Sequence, residues 1–280
     1  MAIFHFHAQI IGRSGGRSAV AAAAYRSGSR LYCQRTGTSY DYRRKADVIK
    51  TGLLAPTIHA PPSAPDWVHQ RQILYNRVEA AEKRKDSQLL REFDMAIPHE
   101  LDELAAKNLV LRWVSEHFLD HGLVADIAFH AGYKGGNRHT HVLTTLRRIE
   151  ADGFSAKKAI ELNHPGLCEV WRESWERLCN EALEKAGSSE RISRLSYAAQ
   201  GIKRRPQRHM GPSATAMFRR GAITEEVWNE CLYQTEVPHA QQSVRDRIDI
   251  QHLYQWWTNF GRRVVPEIGK CVQGLDSHPG

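Results

Sequence analysis

The sequence predicts a fold that mixes β-strands with amphipathic helices, and two observations carry that prediction. Stretches at 3–11, 90–97, 123–131 and 139–147 have the alternation or the short apolar runs of strands, while 66–85, 102–120 and 167–185 place their apolar residues at helical spacing. The second observation is a turn. Gly132, Gly135 and Gly136 lie between the third and fourth strand stretches and supply what a hairpin needs, which makes that pair antiparallel.

Each element has its own local reason. In 3–11, Phe4 and Phe6 fall on one face of a strand and His5 and His7 on the other. A glycine turn from Gly12 to Gly16 follows, and then an alanine-rich helix runs from Arg17 to Arg26. Ser18 is placed to cap its start, and Gly28 to stop it. Pro56, Pro61, Pro62 and Pro65 make 55–65 a loop leading into the helix at 66–85. The strand at 90–97 is ended by Pro98. The last helix, 167–185, carries Leu167, Val170, Trp171, Trp175, Leu178 and Leu183 as an apolar face, read as core. Beyond about residue 222 the pattern weakens, and Trp228, Trp256 and Trp257 suggest a small packed appendage.

Composition narrows the class. With 280 residues, 41% hydrophobic and 25% charged, the chain has the make-up of one large domain or a domain plus an appendage, not of a disordered protein. The opening Met1–His5 lacks the basic and apolar regions of a signal peptide, and no apolar run is long enough to span a bilayer. Five cysteines without CxxC spacing read as reduced thiols, so a cytoplasmic protein without membrane insertion is expected. The net charge of +8 is concentrated. Residues 13–45 carry eight Arg or Lys against Asp41 alone, residues 185–220 carry nine against Glu190 alone, and the remainder is net negative. Two basic tracks separated by acidic sequence suit an extended polyanion, which nominates Arg13, Arg17 and Arg26 in the first and Lys203, Arg204 and Arg205 in the second as nucleic-acid contacts.

The chemistry centres on histidine. His139 and His141 alternate along one strand and so point the same way, about 7 Å apart. With fifteen His in the chain a bare H-x-H says little, but His130 closes the preceding strand and the hairpin brings it beside the pair. Three neutral imidazoles with room for a further ligand make an open, catalytic metal site, whereas structural sites usually close with four ligands. On softness such a site favours Mn²⁺, Zn²⁺, Co²⁺ or Ni²⁺. Glu92 and Asp94 share a face of their strand and could stand behind a ligating imidazole, fixing its tautomer, or position a nucleophile's hydroxyl. Tyr25, near the end of the alanine-rich helix and next to Arg26, is a candidate nucleophile once a cation favours its phenolate. Tyr32 is a rival if Gly28 does not break the helix, and spacing alone does not choose between them.

These residues fall into ordered motifs. Met1-Ala2-Ile3-Phe4-His5 with Arg13–Ser18 and Ala24-Tyr25-Arg26, then Arg91–Leu101, then His130 with Asn137-x-His139-x-His141, then Trp171–Glu176, Ser196–Ile202 and His209–Pro212 resemble the MobA/MobL (MOB-Q type) conjugative relaxases of the HUH nuclease class. The resemblance covers about residues 1–222 as a nicking domain and leaves 223–280 as an appendage. Asp94 stands where many of the family have Glu.

The resemblance implies an α+β sandwich built on a five-stranded antiparallel sheet flanked by helices. It implies Tyr25 as nucleophile, Glu92 and Asp94 as orienting carboxylates, and one divalent ion, Mn²⁺ or Mg²⁺, on His130, His139 and His141. The implied substrate is single-stranded or hairpin DNA at a transfer origin, nicked and rejoined through a 5′-phosphotyrosine bond. Implied partners are relaxosome accessory proteins and a coupling ATPase. Two other classes compete: a metal-dependent phosphoesterase using water, which dispenses with Tyr25, and a non-enzymatic DNA-binding plasmid protein, which dispenses with the triad.

Overall fold

The computed structural model describes residues 3–131 and 137–203, together with Met217, Arg220 and Gly221. The chain divides into two compact units, Met1–Leu195 and Ser196–Gly280. In chain order the first holds β1 (Phe6–Gly12), α1 (Ala19–Ser27), a hairpin of β2 (Arg30–Cys33) and β3 (Thr38–Asp41), β4 (Thr57–His59), α2 (Arg71–Ala81), β5 (Gln88–Ala96), α3 (Glu103–Val114), β6 (Ala125–His130), β7 (His139–Thr145), a hairpin of β8 (Arg147–Glu150) and β9 (Gly153–Lys158), and α4 (Leu167–Lys185). In the second unit the described residues form a turn in which the Ile202 amide donates to the Tyr197 carbonyl at 2.8 Å.

The main sheet has five strands in the order β1-β5-β7-β6-β4, every pair antiparallel. Successive side chains alternate faces, so the sheet presents two different surfaces. On one, Phe6, Phe93, Met95, Val142, Ile127 and Phe129 pack against Val110, Trp113 and Val114 of α3 and Trp171, Trp175 and Leu178 of α4. Phe93 sits at the centre, edge-on to Trp113 at 5.0 Å and to Trp171 at 5.2 Å. Burying each such ring stabilises the fold by about 2–3 kcal/mol, so this layer fixes the plane of the sheet. On the other surface, Leu90, Leu143 and Val124 pack against Val20, Ala23 and Ala24 of α1 and Leu74, Tyr75 and Val78 of α2.

That second surface changes character along the strands. Stepping by two from the apolar end, β7 runs Leu143, His141, His139; β5 runs Leu90, Glu92, Asp94; and β6 ends on His130. Pairing sets His141 opposite both Asp94 and Ala128, and His139 opposite His130. The candidate site residues of the sheet are therefore the polar continuation of a core face, carried on the two strands flanking β7 and on β7 itself.

The α+β sandwich with a five-stranded antiparallel sheet is as expected, and so are most of its elements. α1 starts on Ser18, whose hydroxyl accepts from the Val20 and Ala21 amides, and ends on Gly28 at φ 60°. Four points differ. The proline-rich loop contains the edge strand β4, paired with β6 through Thr57–His59. The helix expected over 66–85 is two pieces, a 3-10 turn at Asp66–His69 and α2, because Gln70 adopts an extended conformation between them. The helix expected over 102–120 is α3 followed by a widened π turn at Ser115–Leu119. Val170, read as core, is exposed on α4. Among the described residues no helix is long and apolar enough to cross a membrane.

Candidate active site

The three histidines converge. Their ligand atoms lie within 4.8 Å of one another, and the rings stand edge to face with centroids 4.7 to 5.4 Å apart. The glycines expected to turn the hairpin, Gly132, Gly135 and Gly136, lie outside the described residues, but the β6–β7 register alone brings His130 against His139.

Neighbouring oxygens fix how each ring is held. His130 Nε2 stands 2.7 Å from the Arg26 carbonyl and His139 Nδ1 stands 2.9 Å from the Asn137 carbonyl. A carbonyl only accepts, so both of those nitrogens carry the hydrogen and the other nitrogen of each ring keeps its lone pair. His141 Nδ1 lies 3.2 Å from Glu92 Oε1, within ion-pair reach but without hydrogen-bond alignment, and has no hydrogen-bond partner among the described residues. Burial pushes His130 down to about 3, and burial lowers His141 as well despite the carboxylate beside it. The two rings are therefore neutral at physiological pH, the form in which imidazole ligates a metal.

Glu92 is the hub behind them. It is 2% exposed, and burial alone would raise its carboxyl, but contact with His141 and Arg26 overrides this and holds it at about 2. Arg26 Nε donates to Oε1, and Gln9 Nε2 donates to Oε2 at 2.8 Å. Asp94 is more open, with His5 Nε2 4.0 Å from its carboxylate.

Tyr25 sits one residue before the carbonyl that His130 grips, on the last turn of α1. Its ring is partly exposed, at 37%. Lys45 Nζ lies 3.1 Å from the ring centroid, Arg26 Cζ lies 4.7 Å from it, and Tyr42 packs edge-on at 5.1 Å. These cations, Lys45 foremost, pull the phenol's pKa below its ordinary value. Tyr32 is elsewhere. Gly28 ends the helix, so Tyr32 lies on β2, where its backbone pairs with Gln72 and Asn76 of α2.

The nominated cations separate into kinds. Arg17 is exposed and reaches Gln9 Oε1 at 3.4 Å, beside the Glu92 network. Arg26 faces inward onto Glu92. Arg13 is sequestered: its side chain is 8% exposed and donates to Glu79 and to the carbonyls of Glu79, Glu82 and Arg84 at the end of α2. Arg13 thus braces the C-terminal end of α2 and the turn after it instead of presenting a free charge. Lys203 is exposed in the second unit, and Arg204 and Arg205 lie outside the described residues. Sequence reasoning missed Gln9 and Lys45. Gln9 shares its strand face with His7, and Lys45 was visible only as one charge among eight.

A convergent His triad, an ionised carboxylate behind it and a cation-flanked tyrosine on an abutting helix, all on an antiparallel α+β sheet, give the class as a relaxase-like sandwich carrying a candidate metal site. Residues 17–220 match the model of the MobA/MobL family, and the chain belongs to that family. Mobilization protein MobL of Acidithiobacillus ferridurans is 34% identical over 252 residues, 79% of this chain and 65% of that protein. Conjugal transfer protein TraA of Agrobacterium fabrum is 35% identical over 250 residues, 79% of this chain but 22% of that one. This chain thus covers less than two thirds of either relative's length. A solved structure from work on the molecular basis of vancomycin resistance transfer in Staphylococcus aureus superposes with a TM-score of 0.63 at 29% identity, covering 70% of this chain and 100% of that one.

Proposed function

We propose that the protein is a plasmid mobilisation relaxase that nicks and rejoins single-stranded DNA at a transfer origin through a bond from Tyr25 to a 5′-phosphate. Membership of the MobA/MobL family supports the class. The observation that carries the choice of Tyr25 is its neighbour: the Arg26 carbonyl meets His130 while the Arg26 side chain meets Glu92, so the tyrosine's helix is docked both on a triad histidine and on the carboxylate behind another.

The donor set fits a divalent ion. His130, His139 and His141 would hold it, the first two through the nitrogen whose lone pair the carbonyl contact leaves open. Three imidazoles accept Mn²⁺, Zn²⁺, Co²⁺ or Ni²⁺, and the family resemblance adds Mg²⁺. When bound, such an ion supplies a Lewis acid for the non-bridging oxygens of a phosphodiester. Glu92 orients His141, and Arg26 and Gln9 hold Glu92 in place. Asp94, more open, positions groups at the site's mouth. Tyr25 Oη attacks phosphorus in line, the P–O3′ bond breaks, and the freed 3′-OH later reverses the step. Because the aryl phosphodiester is retained, resealing needs no external energy source.

Arg17 and the basic segment at 185–220, with Lys203, Arg204 and Arg205, would follow the DNA backbone. We assign the nicking domain to residues 1–222 and leave 223–280 as an appendage; accessory proteins and a coupling ATPase are partners to seek in the cytoplasm. The test uses 3′-labelled single-stranded oligonucleotides tiled across the non-coding DNA beside the gene, with Mn²⁺. A denaturation-resistant protein–DNA adduct is expected from the wild type and none from Tyr25→Phe. No adduct from any oligonucleotide, or an adduct that persists in Tyr25→Phe, overturns the assignment.

A further inference from the structure

The segment after β3 holds a group that the motifs leave unassigned. Arg43–Val48 turns as a 3-10 helix, beyond which Ile49 bridges His130 and the Lys50 amide donates to the Phe129 carbonyl at 2.9 Å. The segment is thereby fastened to the strand that ends in a triad histidine. It also packs on the end of α1: a Cβ at Gly28, which has φ 60°, would stand 2.3 Å from Ile49 Cδ1, so the end of the Ile49 side chain would have to move aside. Between these anchors and β3 lies Lys45, with its ammonium 3.1 Å from the centre of the Tyr25 ring.

A lone cation–π contact at a partly exposed ring is worth only about 0.5–1 kcal/mol, which by itself gives little reason to hold a lysine so close. The same ammonium is worth more when the ring bears charge. We infer that Lys45 is a further catalytic residue, whose ammonium stabilises the negative charge on Tyr25 Oη as it attacks and again as it departs during rejoining. This rests on the reading of Tyr25 as nucleophile. In the forward step the Oη–P bond forms, the P–O3′ bond breaks, and the phenol's proton passes through solvent to the leaving 3′ oxygen. Lys45 gives up no proton and so needs no reset. Among the described residues the groups facing the tyrosine are Lys45 from the 3-10 segment, Arg26 from its own helix and the ring of Tyr42. Both cations act in one direction, with Lys45 the larger.

The test is single-turnover adduct formation on the reactive oligonucleotide with Mn²⁺, from pH 6.5 to about 10, the ordinary range of a phenol. Lys45→Met is expected to slow the step on the order of 10²-fold near pH 7, the scale of losing one transition-state charge partner. The deficit should shrink towards pH 10 and be largely restored in Lys45→Arg, while binding of the oligonucleotide measured by filter retention changes little. A deficit equal at every pH, no deficit, or no rescue by arginine overturns the inference and leaves the nucleophile reading standing. An adduct that survives in Tyr25→Phe overturns both.

Discussion

His130 Nε2 and the carbonyl oxygen of Arg26 stand 2.7 Å apart, across 104 residues of sequence. Through this contact one residue serves two masters: the Arg26 backbone fixes the tautomer of a triad histidine, and its guanidinium neutralises Glu92, which faces another. Tyr25 precedes it directly. The helix that carries the proposed nucleophile therefore cannot shift without disturbing the proposed ligands.

Removing the carboxylate should therefore be felt at the metal. Glu92→Gln keeps the shape but loses the charge that faces His141 and anchors Arg26. Carboxylates behind ligating imidazoles are worth about 10- to 100-fold in metal affinity. Titration calorimetry with Mn²⁺ should show a weakening of that order, and an unchanged dissociation constant would remove Glu92 from the orienting role.

Gly28→Ala should damage both stability and chemistry. Gly28 has φ 60°, where an alanine costs about 1–2 kcal/mol, and its new Cβ would collide with Ile49. A loss of about 1 kcal/mol lowers the melting temperature of a chain this size by about 2–4 °C. Because Ile49 ties the Lys45 segment to His130, adduct formation should fall further than the loss of folded protein explains. Thermal melts and adduct yields on the same samples decide it, and parallel losses would make Gly28 purely structural.

Glu79 should give the fold an acid-sensitive joint. Its side chain is 1% exposed, and burial would raise its carboxyl, but bonds from the Ala19 amide, Ser18, Arg13 and Arg35 hold it below the usual range. A carboxyl depressed in the folded state contributes stability above its unfolded pKa of about 4.3, lost as pH falls through the folded value. Glu79→Gln should cost about 3 kcal/mol at pH 7, the scale for breaking a buried ion pair. Urea midpoints should then converge with the wild type as pH drops below 4. A gap as wide at pH 3 as at pH 7 would show that shape, not charge, is what Glu79 provides.

Where signals were local, the sequence was legible. Ser18, the alanine run and Gly28 delimit α1 within a residue, and the Trp171–Trp175–Leu178 spacing delimits α4. The His strands were legible because period-two alternation puts His139 and His141 on one face whatever the partner strand. β4 and the β2–β3 and β8–β9 hairpins were not, being three to six residues of mostly polar sequence that become strands only through pairing. Charge was the least legible property of all. Arg13, Arg17, Arg26 and Lys45 read alike as basic sequence, yet the fold spends Arg13 on a helix end, Arg26 on Glu92 and Lys45 on Tyr25, and leaves Arg17 exposed. Tertiary contacts across tens of residues decide those fates, and no window of sequence contains them.

That division gives a last prediction, in which two arginines four positions apart behave oppositely. Each phosphate neutralised on a single strand contributes about −0.7 to the slope of log K against log salt. Arg17 is exposed beside the Gln9–Glu92 network, so Arg17→Ala should flatten the slope by about that amount, weaken binding to every oligonucleotide alike and leave the urea midpoint in place. Arg13 is bonded to Glu79 and to three carbonyls at the end of α2, so Arg13→Ala should lower the urea midpoint and leave the slope of the folded protein unchanged. Fluorescence anisotropy from 50 to 300 mM salt, about the range over which such slopes are read, separates the two. A flattened slope in Arg13→Ala would mean that its guanidinium leaves α2 when DNA arrives; an unchanged slope in Arg17→Ala would mean that the DNA path runs clear of the β1–α1 turn.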